Sequence, residues 1–308
     1  MSTKITIAVF PGGFNMPCWT AIEEGFFAKR DLDVDMYYVS ASTEQLPGLV
    51  HGDWEIGLTG IDNIVAYNNG QGEAEIRNES DLFAFMGGDN AFLRVVTQPD
   101  IKSYDDLKGK QLAVDAMTTG FAFVLRKMVE MAGVADEVEY IRAGGVMQRW
   151  EGLKEGEFAG TLLMTPFELI GSMLGLNLLQ SADQVFADYQ GIAGVAKRSW
   201  AVENGAVLES FIAAYLEGLD WLFNSENNEA AIARLIAHVP AMSPELAAKA
   251  LEVFVGPGGF ERNAKLNLKG VDKVLELRDE YGEPKRELGV SADYIDSSFY
   301  DRVVKQRG

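Results

Sequence analysis

Apolar residues occur along the chain in two patterns, short continuous runs and positions at helical spacing. Segments of the two kinds follow one another in a regular order. A short apolar run at 4–10 predicts a buried strand, and a second run at 34–39 predicts its neighbour. Between them, apolar residues recur at helical spacing, namely Trp19, Ile22 and Phe26. A strand that is followed by an amphipathic helix and another strand is typical of a parallel sheet covered by helices.

The same order of elements continues along the chain. Short apolar runs predict further strands at 54–58, 81–85, 93–97, 111–115, 138–142 and 160–164. The segment 101–110 predicts a short helix with Ser103 as its N-cap and Gly109 as its stop, and another strand returns near 185–195. Long helical patterns follow at 199–224, at 226–238 and from Ser243-Pro244-Glu245 onward.

One segment occurs twice in the sequence. Gly48-Leu49-Val50-His51-Gly52-Asp53-Trp54 returns as Gly152-Leu153-Lys154-Glu155-Gly156-Glu157-Phe158, with the same spacing of the glycines and the aromatic residue. A matching strand, turn and helix precede each copy. The chain therefore contains one structural unit twice, and two such lobes leave a cleft between them in which a small ligand can lie.

These patterns predict an α/β fold of two lobes, each a mainly parallel sheet flanked by helices. Residues 1–92 and 191–308 are predicted to form the first lobe, whose C-terminal part is helical, and residues 93–190 the second. The two crossings between the lobes form a hinge that permits closure around a ligand.

Composition and charge narrow the classes of function. Of the 308 residues 47% are hydrophobic and 24% charged, as in a globular protein long enough for two lobes. The net charge of −19 disfavours nucleic acid as a partner, because phosphate binding needs clustered Lys and Arg. A single cysteine excludes an intramolecular disulfide and a multi-cysteine metal site. We predict no cofactor and no metal, and we expect a monomer.

No apolar run is long enough for a membrane span. The chain enters a strand almost directly after its start, without the pattern of an export signal. We therefore expect a periplasmic protein if an export signal has been removed, and a cytoplasmic one if Met1 is the native start.

The first candidate ligand contacts lie in the turn after the first predicted strand. This turn leads into the N-terminus of a helix, so its backbone N–H groups can donate hydrogen bonds to an anion or to a polar edge of a ligand. Its glycines lack the spacing of a dinucleotide site, and a purely structural turn is the alternative. The candidate residues here are Gly12, Gly13, Phe14, Asn15 and Trp19.

A second set of candidates lies at the start of the helix in the second lobe and at the ends of predicted strands. Thr118 and Thr119 can cap that helix, face a carboxylate, sulfonate or phosphate, or do both. The strand ends at Thr59 and Thr165 are predicted to face each other across the cleft. The candidates in this set are Thr59, Asp62, Asp89, Thr118, Thr119, Gly120, Phe121, Thr165 and Tyr189. The best-placed cations for an anionic ligand, each of which can instead make a structural ion pair, are Arg94, Arg142 and Arg149.

Signatures of enzymes are mostly missing. His51 and His238 are explained by their structural positions in helical patterns, and no nucleophile elbow or P-loop is present. Cys18 is the one plausible nucleophile, because its pKa can fall at a helix N-terminus. The alternative for Cys18 is a small residue that lines the cleft.

Several segments resemble, in their order along nearly the whole chain, the type II periplasmic binding proteins. They are Gly25-Phe26-Phe27 with Asp31-Leu32-Asp33-Val34, Gly52-Asp53-Trp54-Glu55-Ile56-Gly57, Asp105-Asp106-Leu107-Lys108-Gly109-Lys110, Ser199-Trp200-Ala201 and Trp221-Leu222 with Asn227. The most similar branch contains binders of sulfonates, taurine, nitrate and pyrimidine precursors. The resemblance implies a two-lobed receptor for an ABC-type importer, with ligand contacts at Gly12, Gly13, Asn15, Thr59, Thr118, Thr119 and Thr165.

Two main functions stay open, and a regulator or sensor that uses the same lobes is a third. The first is a solute-binding protein that closes on a small organic anion, aromatic or sulfonated, without altering it, and that has an ABC permease as its partner. The family resemblance also implies the second, because the same fold houses cytoplasmic enzymes. It is a decarboxylase, lyase or hydrolase acting on a small aromatic or heterocyclic acid, with Cys18 as its catalytic residue. The cysteine-rich motif of the pyrimidine synthases has no counterpart in this chain.

Overall fold

The computed structural model describes residues 2–240 and 242–307. Met1 and Gly308, the outer ends of the predicted first lobe, lie outside them. The strands are β1 (Thr3–Val9), β2 (Leu32–Tyr38), β3 (Ile56–Gly60), β4 (Leu82–Gly87), β5 (Arg94–Thr97), β6 (Gln111–Val114), β7 (Glu139–Arg142), β8 (Gly160–Leu163), β9 (Asn177–Ser181) and β10 (Ile192–Lys197). The helices are α1 (Met16–Glu23), α2 (Ser42–His51), α3 (Ile61–Asn68), α4 (Gly120–Met131), α5 (Val146–Glu155), α6 (Phe167–Met173), α7 (Arg198–Glu203), α8 (Gly205–Leu222), α9 (Asn228–His238), α10 (Pro244–Val255), α11 (Leu268–Tyr281) and α12 (Ser298–Arg307).

The strands form two sheets with the same internal arrangement. The first sheet has the order β2-β1-β3-β10-β4, and the second has the order β7-β6-β8-β5-β9. In each sheet the first three strands pair in parallel. The strand in the fourth position is antiparallel to both of its neighbours. All other strands of a sheet therefore share one direction, which confirms the prediction of mainly parallel sheets.

In each sheet, the antiparallel strand is the one that follows a strand of the other sheet along the chain. β5 follows β4 of the first sheet but pairs in the second, and β10 follows β9 of the second but pairs in the first. We call the first sheet with its covering helices the first lobe and the second sheet with its helices the second lobe. The predicted two-lobed α/β architecture is confirmed.

The repeated glycine segment marks equivalent helix ends in the two lobes. α2 ends at Gly52 with φ of 83°, and α5 ends at Gly156 with φ of 77°. Both are left-handed conformations that favour glycine. Gly48 and Gly152 lie one turn earlier, where an added Cβ would come within 2.1 Å of the Trp54 ring in the first copy and 2.7 Å of the matching Phe ring in the second. The glycines therefore let each helix turn back closely onto the strand that follows it.

The long helix predicted at 199–224 is interrupted in the structure. The side-chain amide of Asn204 donates to the carbonyl oxygen of Trp200 at 3.0 Å. Asn204 has φ of −121°, outside the helical range, so α7 ends there and α8 begins at the next residue. A side chain that bonds to its own backbone competes with the helical hydrogen bonds, which explains the break.

Other differences concern short segments. The helix predicted at 101–110 is only a 3-10 turn at Tyr104–Leu107, although Ser103 caps it as predicted. The strand predicted at 54–58 is displaced by two residues to β3, and the strand predicted near 185–195 is β10. The sequence patterns did not predict β9, α11 or α12.

The C-terminal helices pack mainly around the first lobe. α8 packs against α1 and α12, and α9 packs against α1 and α10. α11 differs, because it packs against α3 of the first lobe and α4 of the second. Within residues 2–240 and 242–307, no helix is both long enough and apolar enough to span a membrane.

Candidate ligand-binding cleft

A cavity of about 110 Å³ lies between the lobes. Its walls come from the segments that follow the carboxyl ends of β1, β2, β3, β6 and β7, and from single residues on α5, β10 and the segment after β8. In sheets of this kind the segments after parallel strands meet at one edge, and ligands bind there. A cavity of this size holds several water molecules or one small organic molecule.

Four helices begin at this cavity. The first residues of α2, α3, α4 and α5 all line it, two helices from each lobe. None of the four N-caps accepts a side-chain hydrogen bond that would satisfy the first N–H groups. The first amide of α3, from Ile61, donates to Gly191 O at 3.2 Å, but each helix start still has backbone donors without a partner among the described residues. Each also presents a partial positive charge to the cavity, an arrangement that attracts anions.

Arg149 adds a buried cation to the cavity wall. It is 5% exposed, and its guanidinium donates from Nε to Gly144 O at 3.2 Å and from Nη1 to Thr161 Oγ1 at 3.2 Å and to Leu162 O. Nη2 forms no hydrogen bond with any residue that the structure describes. Burial lowers the pKa of Arg149, and the negative charge of Asp115 opposes that shift. Arg149 therefore keeps a free donor group for a ligand.

Arg142 lies at the rim of the same cavity. Its side chain is about half exposed, and its Nη1 is 4.0 Å from Glu73 Oε2. Because a half-exposed ion pair of this length is weak, Arg142 can turn toward a ligand at little cost.

Two carboxyl groups also line the cavity, and their partners differ. Asp62 accepts two hydrogen bonds from Arg278, at 2.6 Å and 2.5 Å, so its charge is neutralised within the protein. Asp115 forms no ion pair with a described residue, and its Oδ1 accepts a hydrogen bond from Thr119 Oγ1 at 2.6 Å. Burial raises the pKa of Asp115, while Arg149 and Thr119 lower it in part. Asp115 therefore has the positive charge of Arg149 nearby but forms no direct ion pair with a described residue.

The remaining wall of the cavity is apolar. Three phenylalanine rings and three larger aliphatic side chains contribute to it, namely Phe10, Phe14, Phe121, Val146, Met164 and Ile192. Phe14 and Ile192 belong to the first lobe, and Phe121 and Met164 belong to the second. A ligand enclosed here would thus have apolar contacts with both lobes in addition to polar ones.

The family model described as "NMT1/THI5 like" matches residues 15–229, more than half of the chain. The chain belongs to the NMT1/THI5-like family. None of the curated protein sequences is a significant match to it.

Several solved structures have the same fold. The periplasmic nitrate-binding protein NrtA from Synechocystis PCC 6803 superposes with a TM-score of 0.86 at 13% identity, over 99% of this chain and 89% of that one. The alkanesulfonate-binding protein SsuA from Xanthomonas axonopodis pv. citri, bound to MOPS, has a TM-score of 0.76 at 14% identity, over 96% and 99%. The periplasmic aliphatic sulphonate binding protein SsuA from Escherichia coli has a TM-score of 0.70 at 18% identity, over 91% and 87%. At these identities the likeness establishes the fold.

In this member of the NMT1/THI5-like family, part of the predicted site lines the cavity. The residues brought together there are Phe14, Asp62, Thr119, Gly120 and Phe121, and two of the proposed cations, Arg142 and Arg149, join them. Arg94 lies elsewhere, 3.8 Å from Asp183.

The other candidates of the first turn lie outside the cavity wall. The side-chain amide of Asn15 donates to Phe10 O at 2.7 Å and to Gly12 O at 3.1 Å, which fixes the turn from within. An added Cβ on Gly13 would lie 2.6 Å from the Phe254 ring, so this glycine permits close packing. Trp19 donates from its indole nitrogen to Tyr38 Oη at 2.8 Å and stacks on the ring of His238.

The remaining candidates also lie outside the wall, although some support it. Thr59 accepts a hydrogen bond at 2.8 Å from Asn63, which does line the cavity. Thr165 Oγ1 donates to Glu168 Oε1 at 2.6 Å. Tyr189 is buried, with its backbone close to Gly270 at the start of α11.

Thr118 and Asp89 connect segments of the protein to each other. Thr118 donates to Glu73 through both its amide and its hydroxyl. Asp89 Oδ1 accepts hydrogen bonds from the amides of Ala91 and Ile192, at 2.7 Å and 3.1 Å. Because Ala91 precedes β5 and Ile192 begins β10, Asp89 ties together the two crossings between the lobes.

Sequence reasoning missed the starts of α2 and α5 as parts of the site. Ser42 and Thr43 of α2 and Gly144 and Gly145 before α5 line the cavity. Their signal was present, because the repeat places these helices after equivalent strands and small residues stand at both helix starts. The hydroxyl groups of Ser42 and Thr43 form no hydrogen bonds with described residues, so they are also free for a ligand.

Cys18, the residue proposed for the enzyme alternative, lies in α1 and has no exposed surface. Burial raises the pKa of its thiol. The residue is outside the cavity wall, and the two histidines have other contacts. His51 Nε2 accepts a hydrogen bond from the amide of Arg77, and His238 Nε2 lies 2.6 Å from Glu23 Oε1. Within the described part of the chain, no group of three His, Cys, Asp or Glu side chains is arranged to hold a metal ion.

Proposed function

We propose that this protein is a solute-binding protein that holds a small organic anion between its two lobes and releases it unaltered to an ABC-type importer. The observation that carries the proposal is the convergence of four helix N-termini on one enclosed cavity beside the free Nη2 of Arg149. These groups are donors without acceptors, and an anion supplies the acceptors.

The apolar wall favours an organic anion over a bare inorganic one. An aromatic or short aliphatic body can lie against Phe14 and Phe121 while its charged group faces the helix starts. The structural neighbours are named as binding proteins for nitrate, for aliphatic sulphonates and for alkanesulfonates, the last in a structure bound to MOPS. Sulfonates combine a charged head with an organic body, so they are our first choice for the ligand class.

Asp115 adds a requirement to the ligand. Its carboxyl group accepts a hydrogen bond from Thr119 and lines the cavity, but it forms no direct ion pair with a described residue, although the charge of Arg149 acts on it. A ligand that carries an N–H or O–H group at some distance from its anionic head would donate to Asp115 and reduce the cost of burying this carboxyl group. Among aromatic sulfonates, an amino-substituted one is thus expected to bind more tightly than the unsubstituted one.

The family and its neighbours also support the cellular setting. Two of the neighbours described above are named as periplasmic binding proteins, and the third is named as an alkanesulfonate-binding protein. We propose a periplasmic location and an ABC permease as the partner. We also propose that residues 1–92 with 191–308 form one lobe and residues 93–190 the other, with the small molecule bound between them.

The binding test compares matched compounds by isothermal titration calorimetry. Benzenesulfonate is expected to bind at least about tenfold more tightly than benzenesulfonamide, its neutral analogue, because only the anion satisfies the helix N-termini and Arg149. Sulfanilate, which adds an amino group, is expected to bind more tightly again. Equal affinity for benzenesulfonate and benzenesulfonamide would contradict the assignment of the cavity to anions.

Protein variants locate the binding. Arg149→Met is expected to lower the affinity for benzenesulfonate by about tenfold or more, and Arg149→Lys by less, because lysine keeps the charge. Arg286→Met is the matched control, because Arg286 is exposed and makes no hydrogen bond or ion pair within the described residues. An unchanged affinity in Arg149→Met would place the anion elsewhere.

A further inference from the structure

Arg278 lies at the end of α11 and is fully buried, although it does not line the cavity. Its Nε and Nη2 donate to the two carboxylate oxygens of Asp62, at 2.6 Å and 2.5 Å. Asp62 is in the first turn of α3 in the first lobe and lines the cavity. The paired geometry holds the carboxylate in one orientation, since two parallel hydrogen bonds allow little rotation.

The same guanidinium reaches the second lobe. Nη2 also donates to the carbonyl oxygen of Thr118 at 2.7 Å, and the guanidinium carbon lies 4.9 Å from the centre of the Phe123 ring in α4. Thr118 immediately precedes the start of α4, whose first residues line the cavity. One side chain outside the site therefore joins two of the four helix starts that form it.

The starts of α3 and α4 are in direct contact at this point. An added Cβ on Gly120 would lie 2.5 Å from Cβ of Asp62. Further along the same face, Lys127 of α4 pairs with Glu280 of α11 at 2.7 Å, and Tyr281 of α11 donates to Glu130 of α4. These outer contacts are exposed and therefore weak, whereas the contacts of Arg278 are excluded from water.

We propose that Arg278 is a positioning residue for ligand retention: it holds the lobes closed over the cavity by tying Asp62 in the first lobe to the start of α4 in the second. This inference rests on the proposed function for the identity of the ligand. The part that concerns closure of the two lobes does not depend on a ligand. Removal of Arg278 leaves Asp62 as an unpaired buried carboxylate and releases α4, so the lobes separate and the ligand leaves faster.

The experiment uses Arg278→Met, Asp62→Asn and the double variant in the full chain. Small-angle X-ray scattering of the ligand-free proteins measures the radius of gyration, and stopped-flow measures the dissociation rate of benzenesulfonate. Both single variants are expected to have a larger radius of gyration than the unmodified protein and a dissociation rate raised by about tenfold or more. The double variant is expected to resemble the single ones, because the two residues act as one unit.

Arg234→Met is the matched control. Arg234 is also nearly buried, pairs with Glu23 at 2.7 Å and Glu24 at 2.8 Å, and lies over the Trp221 ring. All these contacts are within the first lobe, on α1, α8 and α9 and on Glu24, the residue after α1. This variant is expected to lose thermal stability while keeping both the radius of gyration and the dissociation rate.

The outcomes separate the two proposals. A radius of gyration and a dissociation rate in Arg278→Met that match those of Arg234→Met would overturn the positioning role. If Arg278→Met does not fold, Asp62→Asn and Arg278→Lys provide the same comparison, and Arg278→Lys is expected to recover part of the closure. If the unmodified protein binds none of the anions but Arg278→Met is still more extended, the proposed function fails and the role of Arg278 in closure stands.

Discussion

Glu73 of the first lobe accepts two hydrogen bonds from Thr118 of the second, from the amide at 2.8 Å and from the hydroxyl at 2.6 Å, both at Oε1. Glu73 lies in the segment after α3, and Thr118 lies just before α4. The other carboxylate oxygen of Glu73 faces Arg142 at the cavity rim. One carboxylate thus joins the second lobe at two points beside the cavity.

Glu73→Ala is expected to speed the release of a bound anion. The variant frees the Thr118 amide and hydroxyl and removes two hydrogen bonds to a charged group, a kind worth about 1.5–3 kcal/mol. The dissociation rate measured by stopped-flow is expected to rise severalfold. Glu75→Ala, which changes an exposed carboxylate two residues away, is the control, and equal rates in the two variants would contradict a role for Glu73 in retention.

Gly120→Ala is expected to weaken ligand binding strongly. The new Cβ would lie 2.5 Å from Asp62 Cβ, so either α3 or α4 must move at the cavity wall. Gly60→Ala is the matched control, because Gly60 also lines the cavity but its Cβ would meet only the Phe121 ring at 3.8 Å, an ordinary contact. Calorimetric affinities that are similar for the two variants would show that the close contact of α3 and α4 does not matter for binding.

Asp89 is expected to give the stability of the protein a specific dependence on pH. Burial raises the pKa of this carboxyl group from 3.8 to about 7, although the amides of Ile192 and Ala91 lower it in part. The folded state therefore binds a proton that the unfolded state has released. Its contribution to stability is fully present below about pH 4 and is lost as the pH rises toward about 7.

The measurement is urea denaturation between pH 4 and pH 8 for the unmodified protein and Asp89→Asn. Within that window the unfolding free energy of the unmodified protein is expected to fall, relative to the variant, by at most about 1.4 kcal/mol per pH unit. A constant difference between the two proteins would mean that Asp89 does not bind a proton in the folded state.

The thiol of Cys18 is expected to be unreactive in the folded protein. It has no exposed surface, and burial raises its pKa, so little thiolate forms near neutral pH. Reaction with a disulfide reagent such as Ellman's reagent is expected to be slow in buffer and complete in denaturant. Rapid modification of the native protein would return Cys18 to consideration as a nucleophile, whereas Cys18→Ala is expected to bind anions normally.

The sequence predicted the two-lobed fold well because its signals are local and repeated. The glycines at 52 and 156 act through their own backbone conformation, and those at 48 and 152 act through a ring six residues away. Such short-range requirements can be read from spacing alone. The break at Asn204 was missed because helical periodicity continues on both sides of it, whereas the break depends on one hydrogen bond.

The candidate site was harder to predict. Which residues line it depends on the directions of their side chains and on contacts between residues that are far apart in the sequence. Thr118 and Thr119 are neighbours, yet Thr119 lines the cavity while Thr118 faces Glu73, forty-five residues earlier. The pairing of Asp62 with Arg278 spans 216 residues and joins an element, α11, that the patterns did not predict. No local period in the sequence carries information of that kind.

The most direct test of the account is to incubate the protein with a mixture of aromatic and aliphatic sulfonates and carboxylates and to follow every compound by mass spectrometry, both bound and free. We expect one class of organic anion to be retained at one molecule per chain, to be recovered unchanged, and to be lost from Arg149→Met. Turnover of any compound to a product would contradict it and would make the cleft an active site.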